Sequence, residues 1–378
     1  MTRNLIAIAA LMGSASTVAA GGLDRSGQKI GVLFETGNLF ELSYGHVDPS
    51  VDGVENGSTL TTNTIGDVAD SFGVLGAGLK YQFNERVSMA LIVDEPYGSD
   101  ITYPGNPAVT ALGGTSAIVD SFAITALGRY KFDDNWSMHG GLRYQEIEAD
   151  VTLGGNAYGG LNGYNGAFGS DGAVGYIVGA AYERPEIALR VALTYNSKID
   201  HDLPTVETVG GFVVNPGSET EVTAPESLNL DFQTGIAQDT LLFGSIRYAR
   251  HEDVIVSPAF FDSQVDPANS GSSLTDIENS TDIEIGIGHR FTDRFSGSLA
   301  VGYQTKGEDD LVSPLAPTNG ARWVSLGGSY KMTDQVKLSG GVRYTELGDA
   351  QPQTAGTARA DFEDNSAVSV GFKISYNF

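Results

Sequence analysis

The stretch SAVSVGFKISYNF, Ser366 to Phe378, decides the fold. Val368, Val370, Phe372, Ile374, Tyr376 and Phe378 share one parity, and Ser369, Gly371, Lys373, Ser375 and Asn377 share the other. A period of two marks a strand with one apolar and one polar face. A soluble sandwich strand alternates as well, but it is usually about half as long. A strand that crosses a bilayer needs about 9–11 residues, and this run has that length.

Working back along the chain, the pattern returns. In QVKLSGGVRYTE, Val336, Leu338, Val342 and Tyr344 oppose Lys337, Ser339, Gly341, Arg343 and Thr345. In SFAITALGRYKF, Phe122, Ile124, Ala126, Tyr130 and Phe132 oppose Thr125, Arg129 and Lys131. The apolar face ends repeatedly on Tyr or Phe, as at Tyr81, Tyr130, Tyr144, Tyr248, Tyr303 and Tyr376. Amphipathic rings favour the headgroup level, so these residues predict an aromatic girdle.

The connections fall into two kinds that strictly alternate. Short ones lie at Asn84-Glu85, Asp133-Asp134-Asn135, Pro185-Glu186, Gln238-Asp239, Thr292-Asp293 and Thr333-Asp334; long ones run near 50–70, 96–118, 150–172, 200–221, 253–281, 306–320 and 348–364. Six short and seven long connections imply 14 strands, with both chain ends on the side of the short turns. That is the arrangement of an outer-membrane barrel. The strands are predicted over 38–49, 71–83, 86–95, 119–132, 136–149, 173–184, 187–199, 224–237, 240–252, 282–292, 294–305, 321–332, 335–347 and 366–378. The fold class is therefore all-β: a 14-stranded antiparallel transmembrane β-barrel over residues 38–378, preceded by a short N-terminal plug segment at 21–37.

The first residues agree. Arg3 gives a basic start, Leu5 to Met12 an apolar core and Val18-Ala19-Ala20 a small-residue cleavage pattern, so residues 1–20 read as a secretory signal peptide. The apolar run is too short for a spanning helix, which needs about 20 residues. Lys and Arg number 22 against 47 Asp and Glu, a formal charge of −25. Such a chain repels nucleic acid, whose binding needs clustered cations. The 17 Phe and 16 Tyr argue against acidic disorder, and the absence of cysteine excludes disulfides.

No enzyme signature is present: there is no G-x-G-x-x-G, G-x-x-x-x-G-K, H-E-x-x-H or G-x-S-x-G. His46, His139, His201, His251 and His289 lack metal-ligand spacing. No catalytic residue, metal or cofactor is expected. The inward parity carries many cations, among them Arg129, Arg143 and Arg247. They read either as an ion-paired lumen filling or as partners for the carboxylate of an anionic amphiphile, which Arg can hold bidentately. Small inward residues such as Gly175, Gly179, Ala181, Ala188 and Ala192, beside Ile92 and Ile177, leave room for an apolar ligand or for a plug. Acidic loop residues, Asp52, Glu55, Asp67 and Asp70 in the first loop and Asp253, Asp262, Asp266, Asp276 and Glu278 in the fifth, read as solvated surface; oxygen ligation of a divalent cation is the alternative, without EF-hand spacing. The segments Gly210 to Val214 and Pro258 to Phe261 put apolar residues in long loops, where they need either mutual packing or a greasy ligand.

One strand breaks its own pattern. In ALIVDEPYGSDITY, alternation stops at Asp94, Glu95, Pro96, Tyr97 and Gly98. Proline removes a ladder donor and glycine loosens the backbone. The stretch is either a kink in a continuing third strand or the end of that strand.

Three segments resemble the FadL/TodX family of outer-membrane long-chain fatty acid and hydrocarbon transporters: FELSYGHVDPSVDG (Phe40 to Gly53), VDEPYGSDITYP (Val93 to Pro104) and TAPESLNLDFQTGIAQDTLLFGSIRY (Thr223 to Tyr248). The resemblance implies a 14-stranded barrel closed by an N-terminal hatch. It further implies capture of substrate by the outer loops and sideways exit into the bilayer at a kink in the third strand, which would make Asp94 to Gly98 the gate. The chain departs from the family pattern at its start. Gly21 to Asn38 is short and lacks the family's Asn-Pro-Ala motif; Asn106-Pro107-Ala108 lies in the second long loop instead.

The expected function is passive uptake of long-chain fatty acids or related hydrophobic compounds across the outer membrane of a Gram-negative bacterium. Arg129, Arg143 and Arg247 are the candidate carboxylate partners. The other expected partners are membrane lipid and lipopolysaccharide, with no nucleic acid, around a monomeric barrel. The alternatives are a general diffusion porin for small polar solutes and a structural or adhesive barrel.

Overall fold

The computed structural model describes residues 23–265 and 271–378. The predicted signal peptide and Asp266 lie outside these residues. The wall consists of β1 (Leu39–Ser50), β2 (Phe72–Gln82), β3 (Val87–Asp94 with Gly98–Thr102), β4 (Ser116–Lys131), β5 (Trp136–Leu153), β6 (Tyr164–Arg184), β7 (Leu189–Asn196 with Ile199–Val209), β8 (Phe212–Ala224 with Ser227–Ala237), β9 (Thr240–Ala249), β10 (Ser280–Arg290), β11 (Phe295–Gln304), β12 (Ala321–Lys331), β13 (Val336–Leu347) and β14 (Ser366–Asn377). Each strand pairs antiparallel with its sequence neighbours, and β1 closes the barrel on β14 from Leu39↔Asn377 to Ser50↔Ser366. Closure leaves no unpaired edge for hydrocarbon to meet.

Outward positions are apolar as the alternation requires. Val368, Phe372, Ile374 and Tyr376 of β14 are exposed, and Ser369 and Lys373 are buried. Exposed aromatics form two belts. Tyr81, Phe83, Tyr130, Phe132, Phe295 and Tyr376 lie towards the short turns, and Tyr44, Tyr144, Tyr176, Tyr248, Tyr303 and Tyr344 towards the long loops. On β11 the belts are marked by Phe295 and Tyr303, about 26 Å apart at roughly 3.3 Å per residue. A tilt of roughly 40° reduces this to about 20 Å of height, close to the apolar band of a barrel.

Several predicted boundaries are corrected. β6 starts at Tyr164 rather than 173, and the segment 200–221 is not a loop. It is a hairpin that carries β7 and β8 upward beyond the upper belt, with the register Ile199↔Ala224 to Val209↔Phe212. Alternation persists there, with His201, Leu203, Thr205 and Glu207 buried inside. Gly210 and Gly211, both at positive φ (57° and 82°), make the two-residue turn that matches strand twist. Phe212 and Val213 stay exposed at its tip. By contrast, the helix α1 (Ala259–Val265) folds inward. The buried Glu207 carboxylate accepts from the Phe260 and Phe261 amides at 2.8 and 2.9 Å and from the Tyr164 hydroxyl at 3.0 Å. The main hydrophobic core thus sits at the loop end, where Tyr103, Tyr164, Phe168, Phe261, Leu315 and Phe362 meet.

The N-terminal segment runs down the lumen. Ile30, Val32, Leu33 and Phe34, around a short 3-10 turn, pack on Ala90, Ile92, Leu127, Ile177, Ala181 and Ala192. Of the small inward residues, Ala181 and Ala192 receive this segment, whereas Gly175 makes room for Ile199 and Gly179 for His139. Lys80 Nζ donates to the Gly37 carbonyl at 3.1 Å and to Gln82 Oε1 at 2.7 Å near the short-turn end. Higher up, Arg247 Nε and Nη2 donate to Asp24 Oδ2 and Oδ1 at 3.0 and 2.9 Å.

Several acidic loop residues bind backbone, whereas Asp52 and Asp70 are exposed as expected. Glu55 accepts from the Asn63 amide at 3.1 Å and from the Ala111 amide, tying the first long loop to the second. Asp67 Oδ1 accepts from the Val51 and Ala69 amides, and Asp262 Oδ1 from those of Gly271 and Ser272. Among the described residues no group of three or more acidic or histidine side chains could hold a metal ion. Burial alone would raise the Glu55 carboxyl, but hydrogen bonds from Thr61, Ala111 and Asn63 outweigh it and hold the pKa below 4.5. A depressed folded-state pKa gives stability that is present above the unfolded value and lost as pH falls through the folded one.

Two outcomes follow. Protection factors for hydrogen exchange at the Ala111 and Asn63 amides, referred to the intrinsic rate at each pH, should be high at neutral pH and fall once acid protonates Glu55, below the ordinary carboxylate range; in Glu55→Ala they should already be low at neutral pH, by about 1–3 kcal/mol of lost protection. Arg247→Ala leaves the buried Asp24 carboxylate with only His251 Nε2, 3.6 Å away, beside it. That costs about 3–5 kcal/mol, so exchange at the Arg25 and Gly98 amides should accelerate while the barrel melts at an unchanged temperature.

Candidate functional site

The interruption predicted at Asp94 to Gly98 lies inside a strand: β3 stops at Asp94 and resumes at Gly98. Its lower half pairs with β2 from Ala77↔Val93 to Gln82↔Ser88. Its upper half pairs along its length with β4, from Gly98↔Asp120 to Thr102↔Ser116, and on the other side makes only the single bridge Ala69↔Ile101, ahead of β2. Phe72 to Gly76 of β2 therefore have no ladder partner on β3. Above them Asp70 N donates to the Asp100 carbonyl (2.9 Å) and Thr102 N to that of Val68 (2.8 Å). The result is a window in the wall, bounded below by Ala77↔Val93 and above by Asp70 and Asp100.

Each residue of the break finds a partner. Glu95 Oε1 accepts from the Leu75 amide, an edge donor of β2, at 3.3 Å. Asp94 Oδ2 accepts from Ser26 Oγ at 2.6 Å. The Pro96 carbonyl accepts from Arg25 N at 2.9 Å, and Gly98 N donates to the Leu23 carbonyl at 2.8 Å, so residues 23–25 act as a short substitute strand from inside. Tyr97 is fully buried; its amide donates to Ser121 Oγ at 2.9 Å and its hydroxyl to the Pro225 carbonyl at 3.3 Å, where β8 is itself interrupted. A second gap in the ladder lies between β6 and β7, from Asn196↔Ile177 to Thr205↔Phe168, and is crossed by side chains: Asp171 Oδ2 stands 3.3 Å from His201 Nδ1 and accepts from the Asp202 amide at 3.3 Å.

Inside the barrel, against Tyr97 and Ser99 of β3, is a cavity of about 80 Å³. Leu23, Tyr97, Ile147, Phe168, Leu203 and Leu315 are among its lining residues, and no charged side chain is. It lies within the main core, so its mainly apolar lining follows from the same packing. Below the break the lumen is polar. A larger cavity of about 230 Å³ extends up to the window, where Arg25, Leu75, Gly76 and Asp94 line it, and also has Lys29, Arg190, Asp231, Glu284 and Lys373 on its walls. Its neighbourhood is ion-paired: Arg343 Nη2 lies 2.7 Å from Glu284 and Lys373 Nζ 3.5 Å from Glu41.

The three candidate arginines separate into two places. Arg143 and Arg247 share one layer at mid-lumen. Arg143 Nη1 donates to Asn196 Oδ1 (3.3 Å), Asn196 Nδ2 to Ser227 Oγ (3.1 Å), Ser227 Oγ to Gln28 Oε1 (2.8 Å), and Arg247 Nη1 to the same Gln28 oxygen (3.2 Å). Arg129 is lower, near the short turns, ion-paired with Glu183 and lying 4.7 Å over the Phe34 ring. Arg129 and Arg247 thus already hold carboxylates of the chain itself, and Arg143 is held by Thr125 and Asn196. The residues that the sequence reading did not single out are Leu23, Asp24 and Arg25. The available signal was an adjacent acid and base, Asp24-Arg25, in a segment expected to lie inside a barrel.

The family model of outer membrane transport proteins (OMPP1/FadL/TodX) matches residues 32–378. A curated relative, outer membrane protein P1 of Haemophilus influenzae, is 22% identical over 219 residues, which are 54% of this chain and 47% of that protein. The chain spans about half the length of this curated relative. Among solved structures, a FadL homologue of Pseudomonas aeruginosa superposes with a TM-score of 0.72 at 14% identity, covering 92% of each chain. The P. putida toluene transporter TodX gives 0.66 at 14% identity over 91% of each chain, and the Ralstonia pickettii toluene transporter TbuX 0.59 at 13% identity over 92% of this chain and 91% of that one. At such identities the likeness is one of fold. On the match over 32–378, this chain belongs to the OMPP1/FadL/TodX family of outer-membrane transport proteins.

Proposed function

We propose that the protein carries hydrophobic small molecules passively from the outer loops into the apolar cavity and releases them sideways into the bilayer through the window at Asp94 to Gly98. The observation that carries this reading is the position of the cavity. Tyr97 and Ser99 of β3 line it directly, so its wall is the same strand that breaks. The straight route to the periplasm runs through the N-terminal segment and the buried Asp24–Arg247 pair. Desolvating a greasy molecule in the apolar cavity is favourable, by about 25 cal/mol per Å² of apolar surface. Passing it through the charged layer below gains nothing. Sideways exit keeps the molecule out of water.

A long-chain fatty acid fits if its carboxylate reaches Arg143, the one of the three candidate arginines with no carboxylate ion pair within 4 Å among the described residues, although Asp94 and Asp24 are near enough to act on its charge. An uncharged hydrocarbon is the second reading. It is favoured by the lack of any charged side chain around the cavity, because an isolated carboxylate buried there would cost several kcal/mol or take up a proton.

Uptake by proteoliposomes separates these readings. Oleate and toluene entry would both be measured, with sucrose-driven swelling as the porin control. Arg143→Ala should cut oleate entry and leave toluene entry unchanged if Arg143 receives the carboxylate. Ile147→Asp places a charge in the cavity and should cut entry of either substrate by about tenfold or more. Rapid sucrose entry with neither hydrophobe carried would replace the transport reading by a porin.

A further inference from the structure

We propose that Arg25 is the latch of the wall window: its guanidinium replaces the missing strand pairing between β2 and the upper half of β3. The inference deepens the lateral-exit reading and rests on it for its purpose, though not for its geometry. Arg25 belongs to the N-terminal segment, yet its side chain leaves the lumen. The Arg25 Cζ lies 4.4 Å over the ring of Phe72, the first residue of the unpaired β2 edge. Nη2 donates to Asp100 Oδ2 at 2.5 Å on the upper half of β3. One flat cation therefore holds both sides of the opening.

Gly98 shows how closely it fits. A Cβ at this position would stand 2.2 Å from Arg25 Cζ and 2.2 Å from Nε. The guanidinium occupies the space that any other residue at 98 would fill with its side chain. The Gly98 φ lies outside the left-handed range, so space rather than backbone conformation demands glycine here. Arg25 is 5% exposed and Asp100 25%, so the pair is partly shielded from water and screens weakly. Arginine suits the place because only a planar delocalised cation can stack on a ring and bind a carboxylate at once.

The latch is also joined to the cavity by very little chain. Leu23 lines the apolar cavity, Asp24 is clamped by Arg247 and Arg25 fills the window. Three consecutive residues thus touch the site, the anchor and the exit. Withdrawing Leu23 from the cavity pulls on the same short strand that positions Arg25 against Pro96.

The test reads the window itself and needs no substrate. The chain has no native cysteine, so Ser99→Cys, on the lumen side of the window, is a single reporter. It is exposed to a lipid-soluble maleimide dissolved in the bilayer, with a water-soluble maleimide added outside as a control for the route through the loops. In an otherwise unchanged chain, labelling from the bilayer should be slow. With Arg25→Ala or Asp100→Asn it should rise by roughly tenfold or more as the open state gains population, and the water-soluble reagent should react as before. Gly98→Ala should act in the same direction by displacing the guanidinium. The double exchange Arg25→Asp with Asp100→Arg should return labelling towards the slow rate. Folding is checked by the heat-dependent gel mobility of the barrel, and the exposed-side variant Asp100→Asn stands in if Arg25→Ala fails to insert. Equal labelling in Ser99→Cys with and without Asp100→Asn would overturn the latch. Faster labelling without uptake of any hydrophobe would keep the latch and overturn the transport reading.

Discussion

In hydrocarbon a backbone amide has no water to turn to, and leaving it unpaired costs several kcal/mol. The rest of this structure depends on that constraint. It forces the alternating segments into a closed ladder, with β1 laid on β14 over its whole length. It also limits how the wall can be opened, because a break in one strand frees donors and acceptors on that strand and on its neighbour. The β3 break meets the limit with what lies closest. The Glu95 side chain takes the Leu75 amide of β2, and residues 23–25 pair with Pro96 and Gly98 from inside. The opening is therefore a polar seam filled by the chain itself.

The filling explains why so short an N-terminal segment suffices. It is held at three heights by three kinds of interaction. Lys80 binds its carbonyls near the short turns, Leu33 and Phe34 bury apolar surface on small wall residues, and Arg247 grips Asp24 at the top. The last contact is a buried ion pair, which adds little net stability over an apolar substitute but is costly to break from one side. It acts as an anchor with a defined register, placing Leu23 and Arg25 on either side of a fixed point.

The lumen is layered. The upper half, inside the raised hairpin of β7 and β8 and under the Glu207-bound helix, is packed with apolar residues and contains the apolar cavity. The middle and lower parts are a connected set of ion pairs and hydrogen bonds around the larger polar cavity. Tyr97 and Leu23 lie at the boundary, and the wall is interrupted at the same height. For a family of outer-membrane transport proteins, such layering offers a greasy molecule a favourable place to stop and an unfavourable way down.

The local pattern was enough for the barrel. Period-two alternation, strand length and the alternation of short and long connections are backbone-level signals, and lipid enforces them at every strand, so the strand count of 14 was legible. The interruption at Asp94 to Gly98 was legible for the same reason, as a violation of a strong rule. Strand ends were less so: β6 and the hairpin of β7 and β8 continue past the membrane, where a wet exterior makes Asp200, Asp202 and Glu221 acceptable and blurs the contrast between wall and loop. The pairing of charges was not legible at all. Arg247 could meet a ligand or a carboxylate of the chain with the same chemistry, and only the path of residues 23–25 brought Asp24 to it. The same path put Arg25 across the window, because a contact between residues 75 positions apart depends on how the whole barrel encloses its own beginning.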